Sequence, residues 1–311
     1  MRLLRWTIGT LVGALGGGLA LNWRSLGDGL AYLRDLAQYR PTPAVPVAPG
    51  GRYAPLYDLV NLDNAGREAY LEQWLGQRGL PPQRLSIPGS LQSNLLLRLG
   101  PDGPATLFVA HWDKVSERPT YQGASDNTSG VVVLLAAALT LARQPGTRPL
   151  AFLWTGEEER GSLGAHAFVA WARETGFAVR EVYNFDMLGR GGLGARPVST
   201  RPGFVFTLPL RGLVVYDGRT LRPTAPHAPV DPAVAWRLRA AQPDVRIARM
   251  MTALGDTNVF NAAGWPGAML SAANLHYLNL VWHNDADRVE LLDERNLDLA
   301  YDLILALAGQ D

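Results

Sequence analysis

Three consecutive acids, Glu157, Glu158 and Glu159, follow the apolar run Leu150–Trp154 and precede a turn rich in glycine. Two adjacent carboxylates at the end of a buried strand can share the chemistry of a site, since one can bind a metal ion while the other moves a proton. Acids that precede a helix also stabilise the positive end of its dipole, so the triplet alone fits a purely structural role too. The neighbours of these acids therefore decide the interpretation.

Two further apolar runs also end at an ionisable residue. Ala105–Ala110 is followed by His111, and Val182–Phe185 is followed by Asp186. Helix-like segments such as 130–143 alternate with these runs, which is typical of an α/β fold. Because the carboxyl ends of parallel strands meet at one edge of a sheet, we expect these side chains to lie close to the acid triplet.

Three more residues could complete a site at this edge. Asp113 lies two residues after His111 and could fix the tautomer of a metal-bound imidazole. Asp126 precedes a helix, where an aspartate is commonly an N-cap, and His283 lies in a loop where it could simply be solvated. Together, two histidines and three carboxylates on separate strand-end loops supply the nitrogen and oxygen ligands that a pair of zinc ions requires.

The composition predicts a folded chain that does not bind nucleic acid. Of its 311 residues, 47% are hydrophobic, which is enough for a substantial core. The net charge is +1, and no basic stripe with interleaved aromatic residues occurs in the sequence. The sequence has no cysteine, so any metal must be held by histidine and carboxylate groups.

The beginning of the chain carries a membrane-insertion signal. Residues 6–23 are uncharged and mostly apolar, and roughly 18 residues is near the minimum for spanning a bilayer. Arg2 and Arg5 precede them, which predicts a cytoplasmic N-terminus with the rest of the chain outside, whereas cleavage after Ala20 would give a secreted protein. Three glycines share one face of the predicted helix and could support a homodimer: Gly9, Gly13 and Gly17.

The remaining chain divides into two parts after this segment. We predict a membrane segment at 1–23, an amphipathic and proline-rich stalk at 24–55, and one domain at 56–311, because no later stretch has the composition of a linker.

Five short motifs carry a family resemblance. They are His-x-Asp, Gly-Ala-x-Asp-Asn-x-Ser-Gly, Glu-Glu-x-Gly-x-x-Gly, Asn-x-Asp-Met-x-Gly and a late His-x-x-x-Asp. In order and spacing they resemble the M28 zinc peptidases, the bacterial aminopeptidase group, over roughly residues 60–308. The resemblance implies a mixed, mostly parallel central sheet sandwiched by helices, of the zinc exopeptidase type, and hydrolysis of the N-terminal bond of peptide substrates.

The resemblance also implies a ligand set for two zinc ions per chain. Asp126 would bridge the ions, Glu159 and His283 would complete one site, and His111 and Asp186 would complete the other.

The resemblance assigns the remaining chemistry to two residues. Glu158 would be the general base that takes a proton from the attacking water, and Asp113 would orient a metal-bound histidine. The Asp126–Asn127 peptide bond would be cis. Asp256 matches an acid of a Ser-Asp-His segment in the family, but Thr257 replaces the histidine, so Asp256 is a weaker candidate.

The register of the acid triplet allows two assignments. Counting back from the turn at 161–164 makes Glu158 the base and Glu159 the ligand, whereas counting forward from Trp154 would favour Glu157 and Glu158. We prefer the first register because the glycines shape the turn that aims both carboxylates. Glu157 is then an acid without a predicted role.

Two alternative functions stay open. Trp282 stands where many of these aminopeptidases have a tyrosine, and Trp282 together with Lys114 resembles the glutaminyl cyclases of the same fold, which form N-terminal pyroglutamate. A catalytically inactive binding module on this fold is the second alternative. The uninterrupted Glu-Glu motif and the complete ligand set favour the exopeptidase.

Overall fold

The computed structural model describes residues 43–144, 146, 148–196, 204–207, 213–216, 221–224, 230–243, 245–247 and 255–309. The predicted membrane helix at 1–23, its glycine face, and the first part of the predicted stalk lie outside the described residues.

The described residues contain eleven strands. They are β1 (Gln83–Ser86), β2 (Ser93–Leu99), β3 (Ala105–His111), β4 (Leu150–Thr155), β5 (Val179–Phe185), β6 (Leu193–Arg196), β7 (Phe204–Thr207), β8 (Leu213–Tyr216), β9 (Leu221–Thr224), β10 (Arg246–Ile247) and β11 (Gly267–Ala272). Eight of them form one sheet in the order β1-β2-β4-β3-β5-β11-β6-β10, and β7-β8-β9 form a separate antiparallel sheet.

The centre of the large sheet is parallel. β3 pairs in parallel with β4 and β5, and β11 pairs in parallel with β5. Antiparallel pairs flank this centre, where β2 joins β4 and β6 joins β11. Every residue of β3 and β4 is buried, as expected for parallel strands that are covered on both faces. The predicted mixed, mostly parallel sheet is confirmed.

Helices cover both faces of this sheet. They are α1 (Pro55–Leu59), α2 (Asn64–Gly76), α3 (Ser129–Leu141), α4 (Leu163–Thr175), α5 (Pro232–Ala241), α6 (Asp256–Ala262), α7 (Leu275–Val281) and α8 (Glu294–Gly309). One core contains Phe108 and Phe152 together with residues of α3 and α8. The core on the opposite face contains Leu107 and Leu153 with residues of α4 and α6. Alternate strand residues thus point into opposite cores.

α3 lies at the centre of the first core. Among the described residues, one helical stretch, Ala124–Leu141, is long and apolar enough to cross a membrane, and 83% of it is buried inside the domain. It packs on β3 and α8, so its apolar composition is explained by the core that it fills.

The last part of the predicted stalk packs on the domain. Val47 and Tyr53 are each only 1% exposed, and the backbone N–H of Ala48 donates to Glu294 Oε2 at 2.8 Å. The Tyr53 hydroxyl donates to Asp298 Oδ1 at 2.9 Å. The packed domain therefore begins before residue 56, which was the first residue of the predicted domain.

Candidate metal centre

The candidate residues lie at the carboxyl ends of the central strands or in the loops beside them. His111 ends β3 and Asp186 follows β5, while the acid triplet lies in the turn between β4 and α4. Asp126 lies in the segment Ala124–Thr128, which leads into α3. The backbone of Asp126 is non-helical, with φ −108° and ψ 90°, and its peptide bond to Asn127 is cis, as the resemblance implies.

The structure brings the five predicted ligands together in two sets. In the first set, His111 Nε2 lies 3.1 Å from Asp126 Oδ1 and 3.6 Å from Asp186 Oδ1. In the second set, His283 Nε2 lies 3.0 Å from Glu159 Oε2 and 3.5 Å from Asp126 Oδ2. Each oxygen of Asp126 thus faces a different histidine, and this carboxylate is the member that both sets share.

Asp113 connects the first set to the acid turn. Its Oδ1 lies 3.4 Å from His111 Nδ1, on the ring nitrogen that faces away from Asp126. Its two carboxylate oxygens accept hydrogen bonds from the backbone N–H groups of Glu158 and Glu159, both at 3.1 Å. His111 Nδ1 also donates to the backbone carbonyl of Asp113 at 3.2 Å. The carbonyl and the buried carboxylate of Asp113 therefore hold the imidazole and the backbone of both acids in one arrangement.

Asp287 was not predicted as a site residue, although it ends the late His-x-x-x-Asp motif. Its side chain is fully buried and accepts from the N–H groups of Ser125 at 2.6 Å and Asp126 at 2.9 Å. These contacts hold the backbone at Asp126, whose carboxylate both ligand sets share. The motif spacing was the available signal, since it places Asp287 four residues after His283.

Burial raises the pKa values of several acids here. Burial raises the pKa of Glu158 well above its ordinary value, with His111 opposing the shift and Asp256 and Asp186 adding to it. Burial and then the charge of Asp126 raise the pKa of Glu159 to about 7, against the opposing contact of His283. So many carboxylates in one buried volume repel one another, and a cation between them would relieve that repulsion.

The donor set fits divalent zinc. Glu159 Oε1 and Asp186 Oδ1 are buried, and neither has a hydrogen-bond donor among the described residues. One ligand atom from each of His111, Asp126 and Glu159 lies within 4.8 Å of the others. Imidazole nitrogens with carboxylate oxygens, in a site without thiolates, are a usual ligand combination for zinc.

Left-handed backbone is concentrated around the site. Among the described non-glycine residues, positive φ angles of 55° to 56° occur at Glu157, Ser162, Met187 and His283. Glu157 and Ser162 bracket the acid turn, Met187 follows Asp186, and His283 is itself a candidate ligand. Such backbone is unfavourable for side chains with a Cβ, and it is found preferentially at functional sites.

Comparisons with known proteins identify relatives of this chain. The sequence profile of Peptidase family M28 matches residues 94–308. A succinyl-diaminopimelate desuccinylase of Bradyrhizobium sp. (strain ORS 278) is 27% identical over 255 residues, which cover 73% of this chain and 60% of that protein. A leucine aminopeptidase 1 of Trichophyton equinum is 25% identical over 215 residues, which cover 65% of this chain and 53% of that protein. The chain thus spans little more than half the length of these relatives.

Solved structures share the fold. The LapA aminopeptidase of Legionella pneumophila superposes with a TM-score of 0.65 at 19% identity, covering 84% of this chain and 69% of that chain. A glutaminyl cyclase of Porphyromonas gingivalis superposes with a TM-score of 0.60 at 18% identity, covering 84% of this chain and 97% of that chain. At such identities the likeness establishes the fold alone.

Proposed function

The chain belongs to peptidase family M28, and from that premise we propose that it is a zinc-dependent exopeptidase that hydrolyses the N-terminal peptide bond of peptides. The observation that carries the proposal is the shared carboxylate of Asp126, whose two oxygens face His111 and His283 at 3.1 and 3.5 Å. A carboxylate between two ligand sets is the arrangement that a pair of metal ions requires.

We propose two zinc ions per chain. His111 and Asp186 would hold one ion, Glu159 and His283 would hold the other, and Asp126 would bind both. Bound zinc supplies Lewis acidity, which polarises a scissile carbonyl and lowers the pKa of the attacking water. Asp113 keeps the His111 imidazole oriented with Nε2 toward the metal set, because Asp113 accepts from the opposite ring nitrogen.

Glu158 is the proposed general base. Its carboxylate belongs to neither ligand set, and the charges of His111, Asp186 and Glu159 act on it, so it could take up a proton at the site and then release it. The carboxylate accepts the proton of the attacking water and donates it to the leaving amine. The hydrogen bond from the Glu158 N–H to Asp113 Oδ1 restrains the main chain from which this side chain extends.

The peptide would enter from the side of His283. The side chain of His283 is 38% exposed, whereas those of His111 and Asp126 are 1% and 4% exposed. Trp282 is 50% exposed, and its ring centroid lies 4.8 Å from that of His283. The open side of the site is therefore lined by an aromatic surface on which a substrate group can pack.

A panel of short peptides tests this activity. We expect peptides with a free amino terminus to lose their first residue, and N-acetylated peptides of the same sequence to stay intact, when products are read by mass spectrometry. A Glu158→Gln preparation serves as the blank. Removal of a C-terminal residue, or no cleavage at all by a zinc-loaded protein, would contradict an aminopeptidase.

A glutaminyl cyclase is the second candidate, because Trp282 precedes the last ligand and the fold covers 97% of the Porphyromonas cyclase chain. One peptide of the panel should therefore begin with glutamine. Loss of ammonia with the chain length unchanged would identify a cyclase, and release of free glutamine would identify the peptidase.

Gly255→Ala probes the space around the base. A Cβ at Gly255 would lie 3.2 Å from Glu158 Oε1 and 3.9 Å from Asp186 Oδ2. The backbone of Gly255 is extended, with φ −169°, so alanine adds contact without backbone strain. We expect kcat to fall about threefold to tenfold with the zinc content unchanged, because the methyl group displaces the base. Gly76→Ala, where a Cβ meets nothing within 4 Å, should leave kcat unaltered.

A further inference from the structure

Glu157 has a set of contacts that the proposed mechanism does not use. We propose that it is a positioning residue, and that the loop between β1 and β2 holds the catalytic turn through it. The four residues concerned, Ser90, Gln92, Glu157 and Arg160, are here called the clasp. The inference rests on the proposed role of Glu158, which is the next residue in the chain.

The contacts of the clasp converge on one buried carboxylate. Glu157 is only 3% exposed, and its Oε1 accepts a hydrogen bond from the Ser90 hydroxyl. Arg160 Nη1 lies 3.2 Å from Glu157 Oε2. In return, the Glu157 N–H donates to Gln92 Oε1 at 2.9 Å, and the Gln92 N–H donates to the Ser90 hydroxyl at 3.0 Å. Side chain and backbone of Glu157 are thus both tied to one loop.

The loop depends on these polar contacts at its tip. Leu91, between the two loop members of the clasp, is 98% exposed, so it contributes almost no apolar burial. The loop is anchored at its start by Ile87, which is 2% exposed. Because the tip buries no apolar side chain of its own, its position relative to the acid turn is set by Ser90 and Gln92.

The backbone conformation of the acid turn links the position of the loop to the position of Glu158. Glu157 has φ 55°, and a change in its backbone angles would swing the Glu158 side chain that follows. Asp113 holds the turn from one side through the Glu158 N–H, and the clasp holds it from the other. These contacts on both sides restrain the backbone from which the Glu158 side chain extends.

The clasp is separate from the metal ligands. Among the described residues, the side chain of Glu157 has no hydrogen bond or ion pair with any of the five candidate ligands. Its partners belong to the β1–β2 loop and to Arg160. Removing the clasp should therefore disturb catalysis while leaving the zinc content intact.

Four variants and one control test the clasp. We expect Ser90→Ala and Glu157→Ala each to lower kcat about tenfold, with KM within about twofold and zinc content as in wild type, because the base is displaced rather than lost. Glu157→Gln keeps an acceptor for the Ser90 hydroxyl, so it should lower kcat less than Glu157→Ala does. The double variant Ser90→Ala/Glu157→Ala should lose less activity than the product of the two single losses, since both substitutions remove the Ser90–Glu157 hydrogen bond. Leu91→Ala, in the same loop, should behave as wild type.

A second readout does not need activity or metal. The amides of Gly161 and Ser162 donate to the Glu158 carbonyl at 2.9 and 2.8 Å, so their hydrogen exchange in the metal-free protein reports the order of the turn. Hydrogen exchange at these two amides should be faster in Ser90→Ala and Glu157→Ala than in wild type, and unchanged in Leu91→Ala. Wild-type kcat in Glu157→Ala, multiplicative losses in the double variant, or unchanged exchange would overturn the clasp. An inactive wild type with accelerated exchange in these variants would instead overturn the proposed function and leave the clasp standing.

Discussion

Glu158→Gln is expected to lower kcat for peptide hydrolysis by about a thousandfold, because an amide cannot accept the proton of the attacking water. The substitution keeps the size of the side chain, so the metal sets around it should be preserved. Zinc content after dialysis should match wild type, and KM should change little. Steady-state kinetics on one tripeptide, together with metal analysis of the same preparation, measure both quantities.

Glu174→Gln is the matched control, because Glu174 is an exposed acid on α4 and the change of charge is the same. It should keep the kinetics of wild type. Activity close to wild type in Glu158→Gln would remove this residue from the mechanism. If Glu157→Gln instead caused the larger loss and Glu159→Gln kept its zinc, the acid triplet would have to be read in the other register.

Asp126→Ala should have the largest effect on metal binding, because it removes the carboxylate that both ligand sets share. We expect less than about half of the wild-type zinc to remain at equal free zinc, and activity below detection. Metal analysis and a zinc titration monitored by calorimetry measure the loss. The melting temperature of the zinc-treated variant should also fall toward that of the chelated wild type, since binding no longer stabilises the folded state.

Asp285→Asn is the control for this variant. Asp285 lies two residues after His283, but its side chain is 49% exposed and pairs with Arg118 on the surface. Its zinc content should stay at the wild-type value. Full zinc loading of Asp126→Ala would show that the ions bind elsewhere in the protein.

The strands and their terminal ligands could be predicted from the sequence because each carries a local signal. Ala105–Ala110 is an apolar run that is followed by His111, and Val182–Phe185, followed by Asp186, repeats that pattern. Once such runs are taken as neighbouring parallel strands, their ends must meet. The family motifs then assign residues between the runs, such as Asp126, for which spacing alone allowed a helix cap.

The partners of two supporting residues, Glu157 and Asp287, could not be predicted from the sequence, because they are far away along the chain. Ser90 and Glu157 are separated by 67 positions, and Asp287 and Asp126 by 161. No period or turn signal links such pairs, so Glu157 remained an acid without a role. The proline-rich segment before α1 was similarly ambiguous, since prolines predict an extended backbone but do not indicate whether Val47 packs against a neighbouring helix.

The left-handed residues around the metal centre have a consequence for the evolution of the protein. Each non-glycine residue in this conformation lowers the free energy of unfolding by about 1 kcal/mol or more. The loops that hold the candidate site residues therefore reduce the stability of the folded state. Selection for heat tolerance alone should therefore favour glycine or asparagine at Ser162, whereas Met187 is held by the apolar cluster in which its side chain is buried. Selection for turnover should oppose any such exchange that loosens the acid turn, so thermal adaptation and catalytic rate are expected to compete at this position.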